Sequence, residues 1–169
     1  MSFLIDLIII TFCGLVLYYL YQGAIFLPTH PKTVTKIVEL ANIKPGMKTV
    51  DLGSGDGRLV IALAQAGSLA DGFEINPVLA LWSKIKIKKT GISNTRIFTK
   101  SFWHEDLSQY EVVVVFGMTH IMDRLENKLT QELRENTIVI SNIFKFSGLR
   151  EVSNNEGVYV YRVYKMPQI

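Results

Sequence analysis

Cysteine and histidine are scarce in this chain of 169 residues, which contains one cysteine and three histidines. A single thiol, Cys13, excludes an internal disulfide and any metal site built from several cysteines. The spacing of His30, His104 and His120 matches no zinc motif, so we expect no bound metal. The chain also lacks the basic stretches interleaved with aromatics that are typical of nucleic-acid-binding proteins, and we expect no nucleic-acid partner.

Charge is absent from a long stretch near the N-terminus. Residues 7–27 carry no charged side chain, and all 18 lysines and arginines lie at or after Lys32. As a helix this stretch would be roughly 31 Å long at about 1.5 Å per residue, enough to cross a bilayer core. One alternative is a cleavable signal peptide, but no basic residue precedes the stretch and no small-residue cleavage pattern follows it. The other is a buried core helix, which would normally be shorter and amphipathic. We therefore predict a single-pass membrane anchor at residues 5–27, through which the chain contacts the lipid bilayer.

The lysines that follow the predicted anchor indicate its orientation. Lys32, Lys36, Lys44 and Lys48 flank the C-terminal side, whereas no basic residue flanks the N-terminal side. The positive-inside rule then predicts that residues 28–169 form a domain on the cytoplasmic side. The lack of an arginine-rich presequence favours a prokaryotic plasma membrane over a mitochondrial inner membrane.

Strand and helix patterns alternate after the anchor. Continuous apolar runs are typical of strands that are buried on both faces of a parallel sheet, and apolar residues at a spacing of three to four are typical of helices. This alternation predicts an α/β fold with a doubly wound sheet. We predict strands at 48–52, 70–74, 96–99, 112–116, 137–143 and 158–164, and helices at 32–41, 58–66, 77–89 and 120–135.

A glycine-rich loop joins the first predicted strand to its helix. Gly53, Gly55 and Gly57 allow the backbone to turn tightly, and a ligand can then lie against the main chain and the helix N-terminus. Ser54 lies within the same turn. These four residues are candidate cofactor-binding residues in the segment Val50-Asp51-Leu52-Gly53-Ser54-Gly55-Asp56-Gly57-Arg58.

Two acidic residues narrow the identity of the ligand. Asp51 ends the first strand, where a carboxylate repels a pyrophosphate but suits a cation such as the ammonium and sulfonium of S-adenosylmethionine. Glu74 ends the second strand, where a carboxylate can accept hydrogen bonds from both hydroxyls of a ribose, and Asn76 follows within reach of the ribose or adenine. A nicotinamide dinucleotide would need the spacing Gly-x-Gly-x-x-Gly. The pattern favours S-adenosylmethionine as the cofactor; an empty, degenerate fold is the other alternative.

With these motifs in place, the chain resembles a known family from about Pro28 to Tyr164. These are the small membrane-anchored protein-lysine methyltransferases that modify the adenine nucleotide translocase and the ATP synthase c subunit, together with their prokaryotic relatives. Besides the glycine loop, the resemblance is carried by Leu27-Pro28-Thr29, Glu74-Ile75-Asn76-Pro77, Phe102-Trp103, Ser108-Gln109-Tyr110, Val114-Val115-Phe116-Gly117 and Leu125-Glu126-Asn127-Lys128-Leu129.

The resemblance implies a Rossmann-like, seven-strand class I methyltransferase sheet, with a lysine of a membrane protein as methyl acceptor. It assigns Asp51, Gly53 and Gly55 to the methyl donor and Glu74 to its ribose. The family tends to have an acidic residue at the position of Ser101, where class I enzymes usually contact the adenine amino group.

The resemblance and the residue types near the predicted site give further candidate residues. Ser101 and Phe102 are candidate donor-binding residues. Trp103, Phe102 and Phe116 are candidates to line the acceptor mouth, with core packing as the alternative. His120 is a candidate proton acceptor, although a surface histidine at the start of a helix is the simpler interpretation.

Two alternative functions stay open at this point. The chain could methylate a small or lipid-like molecule, or it could be a non-catalytic membrane module that keeps the fold. The lysines at 84, 86, 88 and 89 make the end of the predicted helix at 77–89 basic. A solvated helix end that complements the helix dipole is the simpler interpretation, and a contact with lipid or substrate is the alternative.

Overall fold

The computed structural model describes residues 2–21, 27–117 and 119–165. Within these ranges a helix precedes an alternating series of strands and helices. The elements are α1 (Ser2–Tyr21), α2 (Pro31–Ala41), β1 (Lys48–Leu52), α3 (Arg58–Gln65), β2 (Leu69–Phe73), α4 (Pro77–Thr90), β3 (Thr95–Phe98), a short 3-10 helix (Phe102–His104), β4 (Val112–Val115), α5 (Thr119–Glu132), β5 (Ile138–Asn142), β6 (Arg150–Asn155) and β7 (Val158–Arg162).

The strands form one seven-stranded sheet with the order β3-β2-β1-β4-β5-β7-β6. The first five strands in this order pair in parallel, whereas β7 runs antiparallel to both β5 and β6. The chain leaves β1 first towards β2 and β3 and then returns to place β4 on the other side of β1. The predicted seven-strand, doubly wound α/β sheet is therefore confirmed.

The sheet separates two apolar clusters, one on each face. One face packs against α5 and the 3-10 helix, with Leu125, Leu129 and Tyr161 fully buried. The other face packs against α2, α3 and α4, through buried residues such as Ile37 and Leu63. Because β4 is sandwiched between the two clusters, all four of its valines are buried, as the continuous apolar run predicts.

Helix α1 lies at the position of the predicted anchor. Its described apolar side chains are exposed rather than packed into the domain; the exposed fraction is 79% for Phe3 and 65% for both Ile8 and Phe12. Residues 22–26 of the predicted anchor, and residues 166–169 of the predicted domain, lie outside the described residues. Among the residues that the structure describes, no helix reaches the length and hydropathy of a membrane span.

Candidate active site

A cleft opens at the carboxyl ends of the parallel strands, where β1 lies between β2 and β4. This is the point at which the strand order reverses, and ligands of open α/β sheets bind at such points. The cleft measures about 950 Å³ including its opening to solvent. Its walls come from the glycine loop, the ends of β1, β2, β4 and β5, the segment after β3, and the linker between α1 and α2.

The glycine loop has the backbone conformation that only glycine adopts without strain. Gly53 and Gly55 have φ values of +88° and +52°. The amides of Gly53 and Ser54 both donate to the carbonyl of Phe73, at 2.9 Å each, so that the loop is fixed to the end of β2. A Cβ atom on Gly53 would meet no other atom within 4 Å, because the residue borders the open cleft.

Gly57 has a different role from the other glycines of the loop. It begins α3 with a φ of +76°, and a Cβ atom there would lie 2.0 Å from the Oγ of Ser83 on α4. It therefore permits α3 and α4 to pack closely. Gly53, Ser54 and Gly55 line the cleft, whereas Gly57 is not among its lining residues.

Asp51 brings a carboxyl group into the floor of the cleft at the end of β1. Its exposed fraction is 6%. Burial, together with the negative charges of Glu74 and Asp56, raises the pKa of Asp51 from 3.8 to about 7. A buried carboxylate in this position is costly when the cleft is empty and is stabilised when a cation binds beside it.

Glu74 follows β2 and is held by backbone amides. Its Oε2 accepts from the amide of Gly55 at 2.8 Å, and its Oε1 accepts from the amide of Asn76 at 2.7 Å. Burial raises the pKa of Glu74, although these hydrogen bonds act in the opposite direction. The carboxylate is thus oriented before any ligand binds.

Asp56, the third acidic residue near the loop, is neutralised by cations. Its carboxylate accepts from Arg58 at 2.9 Å and from Lys86 at 2.8 Å. Burial works against ionisation of Asp56, but hydrogen bonds from these two cations lower its pKa to about 2. Asp56 lines the cleft as well, but Arg58 and Lys86 both bind its carboxylate, so Asp51 and Glu74 remain the candidate ligand-binding acids.

Asn76 caps a helix instead of facing the cleft. Its Oδ1 accepts from the amides of Val78 and Leu79, at 2.9 and 3.3 Å, at the start of α4. It is not among the lining residues, and the neighbouring Ile75 is. Its contribution to the site is the backbone amide that orients Glu74.

Ser101 and Phe102, the residues predicted to bind the donor beyond β3, both line the cleft. The Oγ of Ser101 accepts from the amide of Trp103 at 3.4 Å and so caps the 3-10 helix. Lys100 also lines this side, and its Nζ lies 2.6 Å from a carboxylate oxygen of Glu105. Sequence reasoning missed Lys100.

Of the residues predicted for the acceptor mouth or as proton acceptor, Phe102 and Phe116 line the cleft, whereas Trp103 and His120 do not. Phe116 follows β4 at the rim, and its ring lies 6.1 Å from that of Phe144. Trp103 is packed into the core, with the guanidinium of Arg124 stacked 4.1 Å above its ring. His120 is exposed near the start of α5 and is not a lining residue.

The turn after β5 supplies residues that sequence reasoning did not identify. Asn142 ends β5, is 7% exposed and lines the cleft. It is followed by Ile143, whose φ of +70° is strained for a β-branched residue. The amide of Ile143 donates to the carbonyl of Gly157 at 2.7 Å, which helps to hold the strained turn in place. No sequence signal for strain exists at an Asn-Ile pair that ends a buried strand.

The linker between α1 and α2 closes one side of the cleft. Leu27, Pro28 and Thr29 are lining residues. The guanidinium of Arg58 donates to the carbonyl of Thr29 at 2.8 Å while it also binds Asp56. One arginine at the start of α3 thus ties the linker to the glycine loop.

Comparison with known proteins agrees with this geometry. The ANTKMT methyltransferase domain matches residues 51–153. The chain is 37% identical over 122 residues to the human lysine N-methyltransferase of the ATP synthase c subunit, covering 72% of this chain and 52% of that protein. It is 31% identical over 147 residues to a protein-lysine N-methyltransferase of Saccharolobus islandicus strain REY15A, covering 80% of this chain and 91% of that protein.

A solved structure has the same architecture. The RNA methyltransferase from Salinibacter ruber, in complex with S-adenosyl-L-homocysteine, superposes with a TM-score of 0.76 at 28% identity, covering 85% of this chain and 96% of that one. The chain spans about half the length of the vertebrate relatives that it matches. The matched domain covers more than half of the chain and includes Asp51, the glycine loop and Glu74, so this chain belongs to the ANTKMT methyltransferase family.

Proposed function

We propose that this chain transfers a methyl group from S-adenosylmethionine to the side-chain amine of a lysine in a membrane protein. The observation that carries the proposal is the pair of buried acids, Asp51 and Glu74, on either side of an open glycine loop. Support for lysine as the acceptor comes from relatives that are named lysine N-methyltransferases. A relative named for the adenine nucleotide translocase supports a membrane protein as substrate.

The residues of the cleft fit this donor. Asp51, whose pKa is raised by burial, matches the ammonium of the methionine part. Glu74, oriented by two amides, matches the ribose hydroxyls, and Ser101 with Phe102 matches the adenine. Gly53 leaves space for the ligand to approach the backbone. When bound, the donor supplies an electrophilic methyl group on its sulfonium.

The chain must also bind the acceptor amine and align it with the methyl group of the donor. Such alignment contributes much of the rate of a direct displacement. Phe116 and Phe144 give an apolar wall, and Asn142 gives a polar group at the same rim. A lysine that enters such a mouth loses water, which lowers the pKa of its ammonium and favours the neutral amine.

The proposal includes a location. We infer that residues 5–27, which include most of α1 and continue beyond it, form a single-pass anchor and that the methyltransferase domain lies on the cytoplasmic side of a membrane, with a prokaryotic plasma membrane favoured. The exposed apolar surface of α1 and the absence of basic residues before Lys32 support this inference. An anchor would raise the concentration of the cleft around substrates in the same membrane. Leu27, Pro28 and Thr29 of the linker line the cleft, so an anchor inserted in a membrane would hold the cleft near that membrane.

The test is methyl transfer by the full chain. The protein is incubated with S-adenosylmethionine carrying a labelled methyl group and with membranes from cells that lack the protein. We expect label on lysine in membrane proteins, identified by mass spectrometry, and a loss of at least 100-fold with Asp51→Asn, since losing a charge-assisted contact of about 3 kcal/mol has that effect. Glu39→Gln, which removes an exposed carboxylate on α2, is the matched control and should keep full activity.

Other outcomes separate the alternative functions. Label found in the lipid extract and not in protein would replace lysine by a small or lipid-like acceptor. A folded chain that binds no donor would leave the non-catalytic module as the correct interpretation.

A further inference from the structure

Helix α4 carries an apolar stripe on its outer surface. Val78, Leu81, Trp82 and Ile85 have exposed fractions of 68%, 59%, 60% and 48%. Their spacing of three, one and three residues places them along one side of the helix. A tryptophan and three aliphatic side chains on one exposed stripe form a larger apolar patch than scattered surface residues do.

The stripe is distinct from the face that holds α4 on the domain. Ala80 and Ser83 are fully buried, and Ile87 packs against the cluster under α2 and α3. Helix α4 is therefore apolar on two sides, of which only one is needed to fold. The outer side calls for a different explanation from core packing.

Basic residues accompany the stripe. Lys84, Lys88 and Lys89 are exposed on α4, and the helix contains no acidic residue. Lys86 points elsewhere, since its Nζ binds Asp56. An apolar stripe with tryptophan, bordered by lysines, is the pattern of helices that lie in the interface of an anionic bilayer.

The N-terminal end of α4 borders the cleft, so the apolar stripe lies near the cleft. The helix starts shortly after Ile75, a lining residue of the cleft, and Leu79 in its first turn lines the cleft as well. The linker after α1 lines the same cleft. A membrane that contacts α1 and the outer side of α4 would thus lie beside the opening of the cleft.

We propose that the outer side of α4 docks on an anionic lipid surface, as a second membrane contact that rests on the proposed membrane location of the enzyme. The apolar side chains enter the headgroup region, and the lysines bind lipid phosphates. The contact turns the cleft towards lysines that lie close to the bilayer surface in substrate proteins.

Tryptophan fluorescence tests this contact in the full chain. The chain has two tryptophans, of which Trp82 is exposed and Trp103 is 8% exposed in the core. The protein is reconstituted into vesicles of phosphatidylcholine and phosphatidylglycerol in which part of the phosphatidylcholine is brominated, because bromine quenches tryptophan at close range. We expect strong quenching that Trp82→Phe abolishes and that vesicles without phosphatidylglycerol weaken.

Charge variants sharpen the test. Lys88→Gln with Lys89→Gln should shift the docking equilibrium about fivefold for each charge removed. Lys44→Gln with Lys165→Gln removes two exposed lysines outside α4 and should leave quenching unchanged. High salt should act on the wild type as the first pair of substitutions does.

Two results would overturn the proposal. One is equal quenching by brominated lipid in the wild type and in Trp82→Phe. The other is shielding of Trp82 from acrylamide without quenching by brominated lipid, which would mean that a protein, such as a second copy, covers the stripe. Donor binding and methyl transfer are measured separately, so a failure of docking in an active enzyme refutes only this contact.

Discussion

The ionised form of Asp51 destabilises the ligand-free folded protein, but it is the form that would bind a cation. Its ordinary pKa is 3.8, and burial beside Glu74 and Asp56 raises this to about 7 in the folded protein. Between these pH values the folded chain binds a proton that the unfolded chain does not. The stability of the ligand-free protein therefore falls as pH rises from about 4 to about 7, and it stays lower above that range. A bound cation removes this penalty.

Donor binding should therefore depend on pH through Asp51. The ammonium of S-adenosylmethionine requires the carboxylate form, and with a pKa of about 7 that form is scarce at pH 6. We expect the donor to bind about tenfold more weakly at pH 6 than at pH 8. Calorimetric titrations at pH 6, 7 and 8 measure this, and Asp51→Asn should bind weakly at every pH.

Glu74 provides the control for this pH dependence. Its negative charge contributes to the raised pKa of Asp51, so Glu74→Gln should move the pH dependence of binding to lower pH. Overall affinity should fall as well, because the ribose contact is lost. Binding that is independent of pH in the wild-type protein would contradict the role given to Asp51.

Ser101 gives a second prediction at the scale of the residue. It lines the cleft at the position where the resemblance predicts an acidic residue, and its Oγ caps the 3-10 helix. Aspartate is also a good capping residue, so Ser101→Asp should fold normally. We expect it to bind S-adenosylmethionine about fivefold more tightly by calorimetry, because a charged acceptor makes the stronger hydrogen bond to the adenine amino group.

The neutral variant Ser101→Asn tests the reason for that gain. It keeps the cap and the size of aspartate but lacks the charge, and its affinity should stay close to that of serine. Equal affinities of the Asp and Asn variants would mean that this position does not contact the adenine amino group.

At the scale of single residues, sequence motifs identify the acids of the site. They do not show which of the neighbouring residues line the cleft and which serve packing or capping. Asp51 and Glu74 end predicted strands, so topology alone brings them together at the same sheet edge. Gly57, Asn76 and Trp103 stand beside true lining residues in the sequence, but each serves packing or capping. These roles depend on contacts with α4 and the core, which motif spacing does not encode.

At the scale of elements, the strands whose side chains are buried are the ones that the sequence predicts. The six predicted strands are all present, because each contributes apolar side chains to the core. Strand β6 escapes prediction, since all six of its residues are exposed and its sequence, Arg-Glu-Val-Ser-Asn-Asn, has little strand character. It forms because β7 offers it an edge to pair with.

Helix α4 shows the complementary case. A proline start and a glycine stop predict its existence, and in the structure α4 ends at Thr90 with Gly91 as its C-cap. From the sequence alone, the lysines at the C-terminal end of α4 are interpreted as a solvent-exposed helix end. Only the structure reveals that the apolar stripe beside these lysines faces away from the sheet domain.

At the scale of the whole molecule, the cleft unites parts of the chain that are far apart in sequence. Arg58 binds both Asp56 of the glycine loop and the carbonyl of Thr29 in the linker after α1. The described part of the linker after α1, the glycine loop and Leu79 of α4 therefore line one opening. Under the proposed membrane location, this arrangement would place the opening near substrates that lie in the same membrane.

The proposed anchor leads to the last prediction. Phe12→Lys with Leu17→Lys places two charges in the middle of α1, at about 2.5–3.5 kcal/mol each in a bilayer core. The full-length wild type should float with membranes on a density gradient, and this variant should stay at the bottom while it still binds the donor. Leu69→Lys with Val152→Lys adds two charges at exposed apolar positions on β2 and β6, and this control should float. Flotation of the α1 variant at the wild-type level would refute the anchor.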